Sequence, residues 1–142
     1  VVLVSIEEDA KRFRMEVLRL ARRIGEVRIT DIVSDTQFYV LTRLHDGGSA
    51  TPSDLARMEG VTPPAIIRTI NALEAAGLVR RVGDPHDGRR VIIEVTDEGH
   101  ALIDHTRSRR NARMRAEFAE LGPEDRAALV RVSELMSRML RG

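Results

Sequence analysis

Two nearly identical local signals stand eleven residues apart in the middle of the chain, and between them they leave little choice of fold. Thr51-Pro52 is followed by Leu55, Ala56 and Met58 and then by Gly60. Thr62-Pro63 follows at once and opens a longer apolar-periodic stretch that reaches Ala76 before Gly77. A threonine before a proline is an N-cap followed by the first helical residue, and a glycine just past the last periodic residue is a helix stop. The pattern predicts two short helices joined by a tight glycine turn, a helix-turn-helix. In such a motif the first helix needs a small residue where the second crosses it, and four residues later the turn needs glycine. Ala56 and Gly60 occupy those places, with Val61 and Ile66 as pinning apolar residues and Leu55, Ile70 and Leu73 completing the core. Glu59 departs from the pattern, because an apolar residue is usual before the turn glycine; Met58 is the substitute contact.

Downstream, Leu78 to Val82 and Val91 to Val95 are β-branched stretches, separated by Gly83-Asp84-Pro85-His86-Asp87-Gly88. Strand-forming runs around a cluster of turn residues predict a β-hairpin. Thr96 then caps a long helix to about Glu120, with Leu102, Thr106, Met114 and Phe118 inward, and Gly122-Pro123 starts a final helix. Upstream, a helix is predicted from Ser5 to Arg28 with apolar residues Ile6, Ala10, Phe13, Val17, Leu20, Ile24 and Val27. Their gaps alternate between four and three, which draws a narrow stripe like a coiled-coil seam, although a plain amphipathic helix on its own core has the same pattern. A second helix starts at Ser34 and Asp35, carries Phe38, Val40, Leu41 and Leu44, and stops at Gly47-Gly48. The fold class is therefore mainly α with a small β-hairpin wing. It divides into an N-terminal helix (1–33), a winged helix-turn-helix lobe (34–99) and C-terminal helices (100–142).

The second helix of the pair is the expected DNA reader. With Ile66, Ile70 and Leu73 inward, its other face presents Pro63, Pro64, Ile67, Arg68 and Asn71. Its N-terminus is expected to offer free N–H groups to a phosphate, with Thr62 as a further donor. Arg68 suits guanine and Asn71 suits adenine or backbone, while Pro64 and Ile67 offer apolar contact to a thymine methyl. Ile67 reads equally as a core residue at the edge of the domain; for Arg68 the alternative is a solvated surface arginine, and the helix-turn-helix frame around it favours the DNA role. Thr51 and Ser53, at the start of the first helix, are added as candidate contacts. At the hairpin tip His86, Asp87, Arg89 and Arg90 complete the set, an arginine there being able to enter a narrow minor groove. Asp87 is expected to hold Arg89 by a charge-assisted hydrogen bond.

Composition sets limits around this reading. The 142 residues carry a net charge of only +1, so bulk charge does not announce a nucleic acid and position must. Lys11 is the sole lysine among 23 basic residues, a bias that codon usage explains as well as function does. No cysteine is present, which excludes disulfides, thiolate metal sites and thiol redox sensing. Aromatics are 3%, too sparse for stacking on single strands. Val1-Val2-Leu3-Val4 lacks the length and basic flank of a signal peptide, and no apolar run spans a bilayer, so a cytoplasmic protein without membrane contact is expected. No nucleophile–base pair or phosphate-binding glycine loop suggests an enzyme, and no cofactor is implied. Among His45, His86, His100 and His105, the last two are five apart, off the three-or-four spacing of one helix face, so no metal site is expected. Arg107, Arg109, Arg110, Arg113 and Arg115 read as a solvated face, with contact to phosphate or an acidic partner as the sharper alternative.

Asp84-Pro85-His86-Asp87-Gly88-Arg89-Arg90, followed by Val95-Thr96-Asp97-Glu98-Gly99, resembles the wing signature of the MarR family, D-P-x-D-x-R, a strand and then V/L-T-x-x-G. Leu73 to Val79 resembles the family's segment between recognition helix and wing. The resemblance implies a homodimer built from the first and last two helices, whose candidate interface residues are Ile6, Phe13, Val17, Leu20, Leu129, Val132, Met136 and Met139. It implies a repressor of a nearby operon that binds double-stranded DNA and is released by a small aromatic or phenolic effector. The family's wing arginine falls on Arg89 and its aspartate partner on Asp87. The rival readings are a winged helix used for protein–protein contact without DNA, and a small-molecule enzyme or carrier built on the helical bundle.

Overall fold

The computed structural model describes residues 5–25 and 32–142. Val27, Arg28 and the opening valines, on which expectations were placed, lie outside them. The elements run α1 (Ile6–Gly25), α2 (Asp35–Gly47), α3 (Pro52–Glu59), α4 (Pro63–Ala75), β1 (Val79–Gly83), β2 (Val91–Val95), α5 (Asp97–Ala119) and α6 (Pro123–Arg141). The chain separates into two compact units, residues 28–107 and residues 1–27 with 108–142.

Residues 28–107 form the winged helix-turn-helix. Each helix in it begins where a side chain satisfies an otherwise unpaired N–H. Ser34 and Gln37 make a reciprocal capping box on α2; Thr51 accepts from the Asp54 N–H on α3, and Thr62 from the Ala65 N–H on α4. The stops are equally local. Gly60, at φ 63°, donates to the Arg57 carbonyl while Val61 donates to Ala56. Gly77, at φ 74°, donates to Glu74 while Leu78 donates to Leu73. Both pairs are Schellman closures, and both need a residue that tolerates the left-handed region.

The core unites α2 to α5 and both strands: Leu41, Leu55, Ile66, Ile70, Leu73, Ile93 and Ile103 are fully enclosed. β1 and β2 pair antiparallel, with Val79 opposite Val95 and Gly83 opposite Val91. Ala50, just before α3, adds a single bridge to Ile93 through bonds of 2.8 and 3.3 Å, which ties the start of the helix pair to the wing.

Three expectations about packing change. Val61 does not pin the motif; it is 38% exposed and its backbone, through the Ala56 bond, does the fixing. Met58 does not replace the apolar contact missing at Glu59, being 47% exposed. Glu59 instead forms an ion pair with Arg43 of α2, so a charge pair joins the two helices where a methyl-rich contact is usual. In α5, Ile103 is the enclosed residue, and Leu102, Met114 and Phe118 are only half-buried. Thr106 is buried, its hydroxyl donating to the Leu102 carbonyl at 2.7 Å.

The second unit holds α1, α6 and the later part of α5. No residue of α1 or α6 is buried. Ile6, Phe13 and Leu20 of α1 and Leu129, Leu135, Met139 and Leu140 of α6 are exposed, while Val17, Val132 and Met136 are half-buried. Within this unit Arg23 pairs with Glu117 at 2.8 Å. No helix among the described residues is long and apolar enough to cross a membrane.

Candidate nucleic-acid interface

α4 separates its residues by face as a 3.6-residue period requires. Ile66, Ile70 and Leu73 are buried, while Thr62, Pro63, Pro64, Ile67, Arg68 and Asn71 are exposed. Ile67, for which a core role at the domain edge was the alternative, is 38% exposed. Arg68 makes no hydrogen bond or ion pair with any described residue, so its guanidinium is available for an external acceptor.

The helix N-terminus differs from expectation. Pro63 and Pro64 carry no N–H, the Ala65 N–H is taken by the Thr62 hydroxyl oxygen at 3.3 Å, and the Ile66 N–H by the Thr62 carbonyl at 3.1 Å. Of the backbone donors at this end, only the N–H of Thr62 itself is without an acceptor among the described residues. What this end can offer is its dipole, the Thr62 N–H and the proton of the Thr62 hydroxyl. At the start of α3, Thr51 is half-buried and engaged as the cap, and Ser53 is exposed. Hydrogen bonds from Thr51 and then Arg57 hold the Asp54 carboxyl below its ordinary value.

The wing tip is organised by two aspartates that do different work. Asp84 caps the turn by accepting from the His86 N–H at 2.8 Å, and its second oxygen lies 3.8 Å from the Arg90 guanidinium. Its side chain is only 12% exposed. The Asp84 N–H also donates to the Arg90 carbonyl at 3.0 Å, closing the base of the loop. Asp87 accepts from the backbone N–H of Arg89 at 3.1 Å. The expected bond from Asp87 to the Arg89 guanidinium is therefore replaced by a bond to the Arg89 backbone. Such Asx turns set the path of the chain and leave the side chain alone. Arg89 thus projects a guanidinium with no partner among the described residues, while Arg90 leans back on Asp84. His86 is exposed beside it.

Behind the wing, Thr96 and Gly99 show why the signature has its spacing. The Thr96 hydroxyl donates to the Gly77 carbonyl at 2.6 Å and accepts the Gly99 N–H at 3.1 Å. One side chain thus joins the end of α4 to the start of α5. Gly99 is buried against the strand: a Cβ there would stand 2.2 Å from the Leu78 carbonyl oxygen and 2.6 Å from Val95 Cγ1. Only glycine permits that approach.

Arg81 is the residue that sequence reasoning missed. It sits on β1, pairs with Glu74 of α4, and donates from Nη2 to Asn71 Oδ1 at 2.6 Å. A signal was present: Arg81 lies two residues after the buried Val79, on the same strand face, where an arginine needs a partner. The structure also brings together His45 of α2 and His100 of α5, Nδ1 to Nδ1 at 2.6 Å, with Asp104 3.7 Å from the other His45 nitrogen. Arg107 bonds Asp46 at 2.7 Å, holding the Asp46 carboxyl below its ordinary value and raising its own. Arg107 is therefore tied down rather than part of a free basic face. Among the described residues, no group of three or more His, Cys, Asp or Glu side chains is arranged to hold a metal.

Comparison with known proteins agrees with this architecture. Residues 33–91 match the model of the MarR family. The chain is 33% identical over 127 residues to an HTH-type transcriptional regulator of Mycobacterium bovis, covering 89% of each chain. It is 35% identical over 72 residues to the HTH-type transcriptional repressor NicR of Pseudomonas putida, covering 51% of this chain and 46% of that one. Among solved structures, a MarR family protein from Bacillus stearothermophilus superposes with a TM-score of 0.81 at 20% identity, covering 96% of both chains. A transcriptional regulator from Thermotoga maritima gives 0.79 at 24% identity, covering 94% of this chain and 96% of that one.

Proposed function

The chain belongs to the MarR family of winged helix-turn-helix transcriptional regulators, DNA-binding proteins that catalyse no reaction, and from that premise we propose that it works in the cytoplasm as a homodimeric repressor of a nearby operon. Its operator is a pseudo-palindrome. Each α4 enters a major groove, with half-site centres about 10 bp apart or a multiple of that, and each wing places Arg89 in the flanking minor groove. Arg68 reads a base edge, and Thr62, Pro64 and Ile67 line the same surface. Thr51, Ser53, His86 and Arg90 border it.

The observation that carries this reading is the pair of unpartnered guanidiniums, Arg68 on the exposed face of α4 and Arg89 at a wing tip built to present it. Repression is supported by the Pseudomonas putida relative NicR, which is a transcriptional repressor. Dimerisation rests on the exposed apolar residues of α1 and α6, whose partners are the same residues of a second copy. Release by a small aromatic or phenolic effector would act by favouring one spacing of the two lobes, which requires different affinity for the two states.

Selection of bound duplexes from a random pool tests the reading, followed by titration of salt on the selected sequence. The expected result is a symmetric site whose affinity falls steeply with salt. Arg89→Ala weakens binding and alters preference in the flanking sequence while the dimer persists. A protein that binds no duplex would instead be a winged module for protein contacts.

A further inference from the structure

The Asn71 amide has an accepting end and a donating end, and the structure commits the accepting end before any DNA arrives. Arg81 Nη2 lies 2.6 Å from Asn71 Oδ1. A guanidinium only donates, so the amide atom facing it is the oxygen on chemical grounds. Arg81 is itself well fixed. It stands opposite Ile93 in the hairpin, its side chain is only 31% exposed, and its other Nη pairs with Glu74, one turn along α4 from Asn71. The Asn71 NH2 group has no partner among the described residues and lies on the exposed face with Pro64, Ile67 and Arg68.

We infer that Arg81 is a specificity-determining positioning residue: it locks the Asn71 amide with its oxygen turned back to the wing strand, so that α4 offers DNA only a donor at this position. The inference rests on α4 being the helix that enters the groove. An unconstrained asparagine reads adenine with both ends, accepting from N6 and donating to N7. Turning the amide to do so here breaks a charge-assisted bond and leaves Arg81 with Glu74 alone. The locked amide suits an edge that presents acceptors, which is guanine through O6 and N7 or thymine through O4. Asn71 is thereby moved away from the adenine preference that its residue type alone suggests.

The test is duplex selection with the full chain and three variants, each checked for folding by thermal unfolding. Asn71→Ala identifies the base pair concerned, the one whose preference relaxes. At that pair the unaltered chain prefers guanine or thymine. Asn71→Asp keeps an oxygen for Arg81 but turns an oxygen outward, and shifts preference toward the cytosine N4 donor by about tenfold. Arg81→Met keeps the aliphatic stem and frees the amide, raising adenine relative to guanine by about tenfold. Should Arg81→Met fail to fold, the base preferred by the unaltered chain at that pair decides alone, since an unlocked amide prefers adenine. Adenine preference in the unaltered chain, a folded Arg81→Met that loses affinity equally for every base, or an Asn71→Ala that relaxes no position overturns the inference. Absence of binding to any duplex overturns the DNA reading itself, which separates the two failures.

Discussion

The winged lobe and the terminal helices draw on the same apolar residue types and treat them in opposite ways. In residues 28–107, Leu41, Leu55, Ile70, Leu73, Ile93 and Ile103 have no accessible surface at all. In α1 and α6 no residue is buried, and Ile6 stays 90% exposed. The lobe is completed by its own caps, Schellman closures and hairpin, each formed within a few residues of sequence. The terminal helices carry apolar stripes that the described residues leave exposed. Apolar surface of that extent marks an association site in a well-behaved protein. On the proposed reading the lobe is a self-contained reader, and the terminal helices bury their stripes against a second copy.

The comparison can be broken first at Gly99. Replacing it by alanine puts a Cβ against the Leu78 carbonyl, which is backbone and cannot swing away. The lobe should lose about 3 kcal/mol or more, the upper range for overpacking, seen as a large drop in the midpoint of urea unfolding. Leu20→Asp acts on the other region. It should give monomers in sedimentation while an intact lobe is retained, and DNA affinity should fall because one protomer covers one half-site. Dimers of unchanged stability would assign the α1 stripe to something other than self-association.

Arg68→Ala sharpens the account of the lobe. It should cost about 1–3 kcal/mol at one base pair in competition binding, whereas a uniform loss over all sequences would make Arg68 a phosphate contact. Glu59→Leu should change stability by no more than about 1 kcal/mol, because the partner Arg43 is 42% exposed and a pair at the surface contributes little. The smallest effect concerns acid. Asp46 and Asp54 have carboxyls held below their ordinary value, so the stabilisation they give is present above the unfolded-state value near pH 4 and is lost as pH falls through the folded one. Asp46→Asn should flatten part of that acid limb in pH-dependent thermal unfolding.

The elements were legible because their signals are local. Thr51-Pro52, Thr62-Pro63, Gly60 and Gly77 each mark a helix end through groups within four residues, and those ends appear where the residues place them. The wing strands lie within one residue of the expected hairpin. What sequence could not show is which polar groups meet once the elements pack. Glu59 looked like a misfit because Arg43 is 16 residues away. Arg81 and Asn71 are 10 apart in sequence and on different elements. Asp87 is expected to partner the Arg89 side chain, yet it binds the Arg89 backbone N–H, a choice set by loop geometry rather than by residue type. The N-terminus of α4 was legible but misjudged. Two consecutive prolines and a capping threonine already remove all but the Thr62 N–H from its orphan donors, a count available from the sequence itself.

The most direct measurement is the mass of the complex with a selected duplex, by sedimentation equilibrium, together with that of the free protein. The account predicts a free dimer and two chains on one duplex carrying a symmetric site. A free monomer, one chain on an asymmetric site, or no complex at low salt would contradict the division of labour between a reading lobe and a dimerising pair of terminal regions.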